Sequence, residues 1–217
     1  MARSNKLFMS MGAGLIAVVA MAGIAILNSN DVSAANSAVS VGAPAPDFSG
    51  MDSNGKTHKL SDYQGKTVVL EWTNHDCPYV VKHYSSGNMQ STQKDLTEKD
   101  VVWLTVISSS PGTQGHVSAE KANELTTSRG AVPSAVILDE SGDIGRLYGA
   151  KTTPHMYIVD EAGQLVYMGG MDDKPSPSKS SLEGATNYVR VAMTEMAEGK
   201  PITSAVTRPY GCSVKYK

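Results

Sequence analysis

Residues 67–81 read TVVLEWTNHDCPYVV. The first six, Thr67 to Trp72, are dominated by β-branched and aromatic side chains, which suits a short strand buried on both faces. A polar loop follows, and then Cys77-Pro78 ahead of Tyr79 and two valines. Proline is tolerated in the first turn of a helix, where its missing N–H would have no partner anyway. Cys77 therefore falls at a helix start, where unpaired backbone N–H groups and the positive end of the helix dipole stabilise a thiolate, the nucleophilic form of cysteine. The place where a CxxC pair would put its second thiol holds Val80.

Working outward, the mixed polar and apolar run from Tyr79 to about Glu98 is compatible with a helix that Gly87 interrupts. Val101 to Ser108 reads as a second buried strand, Ser118 to Ser128 as a helix capped by Ser118, and Ser134 to Asp139 as a third strand. Ile144 to Tyr148 suits a helical turn. His155 to Asp160 and Gln164 to Met168 form a hairpin through Glu161-Ala162-Gly163. Upstream, the two prolines and the Ser53-Asn54-Gly55 turn of residues 41–66 predict an extended segment and a small N-terminal hairpin. Strands alternating with helices predict the α/β class, a central mixed β-sheet flanked by helices. A Lys, Ser and Pro loop over 172–181, a C-terminal helix from about Leu182 to Glu198 and a tail complete the chain. There is no internal repeat and no glycine-rich phosphate loop.

The first 34 residues have a basic start with Arg3 and Lys6, an apolar run from Leu15 to Leu27 and a small-residue end at Val32-Ser33-Ala34. This is the pattern of a secretory signal peptide, and the apolar run falls short of the roughly 20 residues of a membrane span. Cleavage is expected after Ala34, leaving a linker over 35–41, a domain over 42–180, a C-terminal helix and tail over 181–217, and no stable membrane span. Cleavage removes two of 19 basic and one of 21 acidic residues, so the exported chain carries a net charge of −3. That balance gives no reason to expect nucleic acid as a partner. Export, to a periplasm or outside the cell, places the chain's two cysteines where disulfides persist.

Four stretches carry a family resemblance: GAPAPDF at 42–48, GKTVVLEWTNHDCPYV at 65–80, YGAKTTPHMYIVDEAGQLVY at 148–167, and the late Gly211-Cys212. Together they resemble the thioredoxin superfamily, and within it the redoxin branch of alkyl hydroperoxide reductase/thiol-specific antioxidant proteins and their exported thiol-disulfide relatives. The resemblance implies a thioredoxin-like fold in which the proline at Pro154 is cis and, with Thr153, packs against the reactive sulfur. It also implies that Cys77 is the nucleophile and makes Cys212 the natural resolving thiol. The substrate is then a protein disulfide or a hydroperoxide, the electron source an external thioredoxin-like reductant, and no organic cofactor is required. His75, two residues from Cys77, is a candidate for hydrogen bonding or charge assistance, and His155 for the pocket wall.

The departures keep other readings open. Peroxiredoxins carry a threonine three residues before their reactive cysteine and a proline four before that, where this chain has Asn74 and Leu70, with Thr73 one position off. They also need an arginine at the sulfur, for which Arg129 and Arg146 are candidates. Cys212 could resolve an adduct, form a permanent bridge to Cys77, or never meet it. His75, Cys77 and His83, with Met89 or His155, offer soft ligands for a copper-binding module, although the paired cysteines of copper chaperones with this fold are missing. A redox-inactive scaffold is the third reading.

Overall fold

The computed structural model describes residues 39–217. The signal-peptide reading and most of the linker lie outside the described residues. Residues from there to Lys217, C-terminal tail included, cluster as one unit.

The strand expected over 67–72 forms as β3 (Val68–Trp72) after a small hairpin of β1 (Ser49–Met51) and β2 (Thr57–Lys59). It is followed by β4 (Val102–Ile107), β5 (Ala135–Leu138), β6 (Thr152–Thr153), β7 (His155–Val159) and β8 (Leu165–Gly169). The five-stranded sheet runs β5-β4-β3-β7-β8, with β3 parallel to β4 and antiparallel to β7. Being central, β3 is buried at all five positions. Val68, Leu70 and Trp72 pack into one cluster with Phe48, Ile137 and Tyr157, while Val69 joins a second with Trp103, Met156 and Ile158. Each such aliphatic side chain withdrawn from water stabilises the fold by about 1.5–3 kcal/mol.

The second cluster carries the helices that matter for the site, α1 (Pro78–Ser85), α2 (Asn88–Thr97) and, after α3 (Ala119–Ser128) and α4 (Asp143–Leu147), α5 (Tyr188–Ala197). Gly87 adopts φ 78°, a left-handed conformation open to glycine at no steric cost, and separates α1 from α2. Ser118 caps α3 by accepting the Lys121 N–H, as expected. The C-terminal helix begins later than Leu182: Lys179–Leu182 is a short 3-10 turn, Gly184 sits at positive φ, and Asn187 caps the helix by accepting the Arg190 N–H. The tail folds back onto the sheet. Ala205 to Thr207 pair with Met168 beside β8, and β9 (Cys212–Ser213) pairs antiparallel with β6. No helix among the described residues is long and apolar enough to cross a membrane.

Candidate active site

The loop after β3 delivers Cys77 to the N-cap of α1, with Pro78 in the first turn. Asn74 shapes that loop by accepting the Asp76 N–H on its side chain and donating to the Gln114 carbonyl. The Cys77 sulfur is fully buried. It lies 3.1 Å from the Thr153 carbonyl oxygen, to which the thiol form can donate, and 3.4 Å from the Cys212 backbone N–H, which favours the thiolate. The Thr153–Pro154 peptide is cis. Thr153 pairs with Cys212 in the β6–β9 ladder, so the tail brings the second cysteine to the strand edge beside the first. Both cysteines are free thiols.

The two thiols are electrostatically unequal. Burial pushes Cys77 up, but the side chains of Cys212 and Thr153 and the N–H groups of Val80 and Cys212 outweigh it, leaving Cys77 below the usual thiol range. For Cys212, burial, the hydrogen bond to Cys77 and the charge there all act upward, to about 11. The arrangement can therefore hold a thiolate at Cys77 and a protonated thiol beside it. Val80 is fully buried in the core, so its side chain stabilises α1 against the sheet instead of supplying a thiol.

Of the residues singled out by sequence, Cys77, Cys212, Thr153 and Pro154 come together and His75 stands apart. The His75 ring pairs with Asp76 at 3.3 Å, and its carbonyl accepts from Arg129 at 3.0 Å. Burial lowers its pKa first, with Arg129 and Lys121 adding to the effect against Asp76. Among the described residues it makes no hydrogen bond to Cys77. Arg129 also stacks on Tyr84, and Arg146 on Tyr216, so neither guanidinium donates to the sulfur. His155 packs against Tyr157, its Nδ1 facing the Tyr157 hydroxyl and the Lys151 N–H. Burial, with Lys151 adding, holds it neutral with a pKa near 3. The soft ligands considered for copper are dispersed, and no group of three or more His, Cys, Asp or Glu able to hold a metal occurs among the described residues.

Two buried polar groups escaped the sequence reading. Glu71 accepts from Tyr84, Gln93, Trp103 and Thr105, and burial raises its pKa against those four donors. Lys82, on α1, is buried against Asp172, Tyr210 and the Lys174 carbonyl. Lys82 falls opposite Val80 and Tyr84 on the helix, so the pattern of PYVVKHYS carried no signal of its burial. A groove of about 1070 Å³ lined by Thr67, Leu96, Val166, Met193, Met196 and Ile202 includes neither cysteine.

Comparison with known proteins agrees with this geometry. The family described as AhpC/TSA matches residues 41–168. The thiol-disulfide oxidoreductase ResA of Geobacillus thermodenitrificans is 26% identical over 136 residues, 59% of this chain and 68% of that protein. ResA of Geobacillus kaustophilus aligns over the same shares at 26% identity. Among solved structures, an uncharacterized conserved protein from Geobacillus kaustophilus superposes with a TM-score of 0.70 at 23% identity, covering 83% of this chain and 94% of its own. A hypothetical protein from Sinorhizobium meliloti does so at 0.69 and 19%, covering 83% and 96%. The fold is thioredoxin-like, and likeness to these two structures is one of fold alone.

Proposed function

This chain belongs to the AhpC/TSA family, and we propose that within it the protein is an exported thiol-disulfide oxidoreductase with Cys77 as nucleophile and Cys212 as resolving thiol. The observation that carries the reading is the Cys212 backbone N–H, 3.4 Å from a buried Cys77 sulfur whose pKa is lowered. Similarity to the ResA thiol-disulfide oxidoreductases supports the same chemistry. Export rests on the signal-peptide pattern of residues 1–34.

In the forward half-reaction the Cys77 thiolate attacks one sulfur of a substrate disulfide, forming a mixed disulfide and releasing the other substrate sulfur as a thiolate, which takes up a proton. Cys212, on losing its proton, then attacks Cys77 Sγ and expels the second substrate thiolate. The substrate gains two electrons and two protons, and the protein is left with a Cys77–Cys212 bridge. A dithiol protein of thioredoxin type returns the electrons.

One observation favours a second reading, thiol peroxidase. Cys77 is fully buried beneath the tail, which suits a small oxidant. The thiolate would take the terminal oxygen of a hydroperoxide to give a sulfenic acid and an alcohol, and Cys212 would close the bridge with loss of water. The arginine that such chemistry uses is not at the sulfur here, which places this reading second.

Thiol-trapping mass analysis tests both. Reduced protein is mixed with a peptide disulfide or with hydrogen peroxide, and the bridge is followed across a series of glutathione buffers. A reversible bridge with a potential above about −300 mV, formed faster with the disulfide, supports the oxidoreductase. A bridge resistant to reduction at that poise makes Cys212 a structural staple, and faster closure with peroxide reverses the order of the two readings.

A further inference from the structure

Lys82 lies on α1, the helix whose N-cap is Cys77, and Tyr210 lies two residues before Cys212. Their side chains meet inside the protein. The Lys82 ammonium donates to Asp172 Oδ2 at 3.1 Å, to the Lys174 carbonyl at 2.9 Å and to the Tyr210 hydroxyl at 2.9 Å, and sits 5.0 Å from the Tyr210 ring centroid. The Tyr210 hydroxyl donates in turn to Asp172 Oδ1, and its ring packs edge-on against Tyr79, the second residue of α1. The side chains of Lys82 and Asp172 are withdrawn from solvent. His83, the next residue of α1, faces Asp172 at 3.7 Å and is held neutral by burial, so the helix offers the carboxylate one ammonium.

A buried ion pair is weak as a source of stability, because desolvation offsets much of the attraction. Its geometry is demanding, however, and that demand fixes position. The tail is anchored before this point by Thr207, which bonds Tyr167 and Gly170, and after it by Val214, whose N–H reaches the Lys151 carbonyl. Between those anchors the Thr153 hydroxyl donates to the Cys212 carbonyl and Lys215 to Ser213 Oγ, but Tyr210 is the residue whose side chain bonds to α1. It ties the segment carrying one cysteine to the helix carrying the other.

We propose that Lys82, Asp172 and Tyr210 form a latch that positions Cys212 for closure onto Cys77. The proposal rests on the redox-pair reading above. The three are positioning residues: none touches a reacting sulfur, and their effect is to raise the effective concentration of the Cys212 thiol at Cys77. Ordering the tail before the bond forms removes part of the entropy that closing the ring would otherwise cost.

The test is the equilibrium between the Cys77–Cys212 bridge and glutathione, read by thiol trapping in the full exported chain, for wild type, Tyr210→Phe, Asp172→Asn and the double variant. Tyr210→Phe keeps the ring and the Lys82–Asp172 pair, so the fold stays intact. Loss of the charge-assisted hydrogen bonds is expected to lower the closure constant roughly tenfold, which for a two-electron couple makes the potential about 30 mV less negative. In the double variant the effects should fall short of additive, since both substitutions release the same latch. Tyr148→Phe, which removes a hydroxyl bonded to the Pro46 carbonyl elsewhere in the core, should lower stability and leave the closure constant unchanged. An unchanged constant in Tyr210→Phe, or an equal fall in Tyr148→Phe, overturns the latch while leaving the redox pair standing. A wild-type protein that never bridges in any buffer overturns both.

Discussion

The backbone N–H of Cys212 points at the sulfur of Cys77 from 3.4 Å, across a two-residue ladder that pairs Cys212 with Thr153. A fully buried sulfur thus receives a hydrogen bond from the backbone of the cysteine proposed to resolve it. The surroundings lower the Cys77 thiol and raise that of Cys212, in keeping with the proposed roles of nucleophile and proton-bearing partner.

Thiolate absorbance in the ultraviolet should therefore rise in two separated steps. The first, from Cys77, falls below the ordinary thiol value of 9.0, and the second, from Cys212, comes at about 11. Replacing Cys212 with alanine removes the side-chain donor and should move the Cys77 step upward. A first step above pH 9 in the wild type would contradict the assignment of Cys77 as nucleophile.

Gly211 should not tolerate a side chain. It holds φ 139°, and a Cβ there would overlap the Thr153 carbonyl oxygen, so Gly211→Ala cannot seat β9 against β6. The core is untouched, and the expected cost is confined to the tail, about 1–3 kcal/mol for the backbone strain alone. Amide exchange at Val214, whose N–H bonds the Lys151 carbonyl, should accelerate at least tenfold while the amides of β3 stay protected. Uniform acceleration would mean that the tail and core open together.

The legible parts of this molecule are those with a local signature. TVVLEW announces a buried strand because its composition leaves no solvent face, and Cys-Pro announces a helix start because proline suits few other places in a helix. The family resemblance added Thr153, Pro154 and Cys212, which no local pattern could have joined to Cys77 across 135 residues of chain. The burial of Lys82, Asp172 and Tyr210 stayed hidden for the same reason, since each is an ordinary surface or turn residue until the tail folds over α1. Glu71 was hidden by its neighbours: a carboxylate inside a strand is harmless only if Trp103, Tyr84, Gln93 and Thr105 converge on it, and that convergence is tertiary. The late start of α5 reflects Asn187, a stronger cap than anything at Leu182, where the chain turns into a 3-10 segment first.

Glu71 yields a stability prediction with two arms. Glu71→Leu leaves four buried donors without their acceptor, at about 1–3 kcal/mol for each that finds no other partner, and should cost roughly 4 kcal/mol in urea unfolding. Glu71→Gln keeps the shape and one carbonyl oxygen. The folded pKa of Glu71 is raised, so its contribution is fully present below the ordinary value of 4.5 and is lost as pH rises through the folded value. Glutamine does not titrate, so the variant should gain on the wild type as pH rises above 4.5. A Gln variant that loses ground over that range would mean that the four donors stabilise the carboxylate more than burial penalises it.

The buried histidines set the acid limb. Burial lowers His83 to about 4 and His155 to about 3, from an ordinary 6.5, so both rings are neutral in the fold and take up protons readily only when it opens. With folded values depressed, their contribution is fully present above about pH 6.5 and lost as pH falls toward 4 and 3, at up to roughly 1.4 kcal/mol per pH unit for each ring. Carboxylates such as Asp47 and Asp52, held below 3.8, join only at the acid end, while Glu71 works in the opposite direction. The comparison that isolates one ring is the slope of stability against pH from 6 to 4.5 in wild type and His155→Leu. The variant should lose stability more slowly by up to one proton's worth, whatever its absolute stability. Parallel slopes would mean that His155 is protonated inside the fold, which its place beside Tyr157 and the Lys151 N–H does not accommodate.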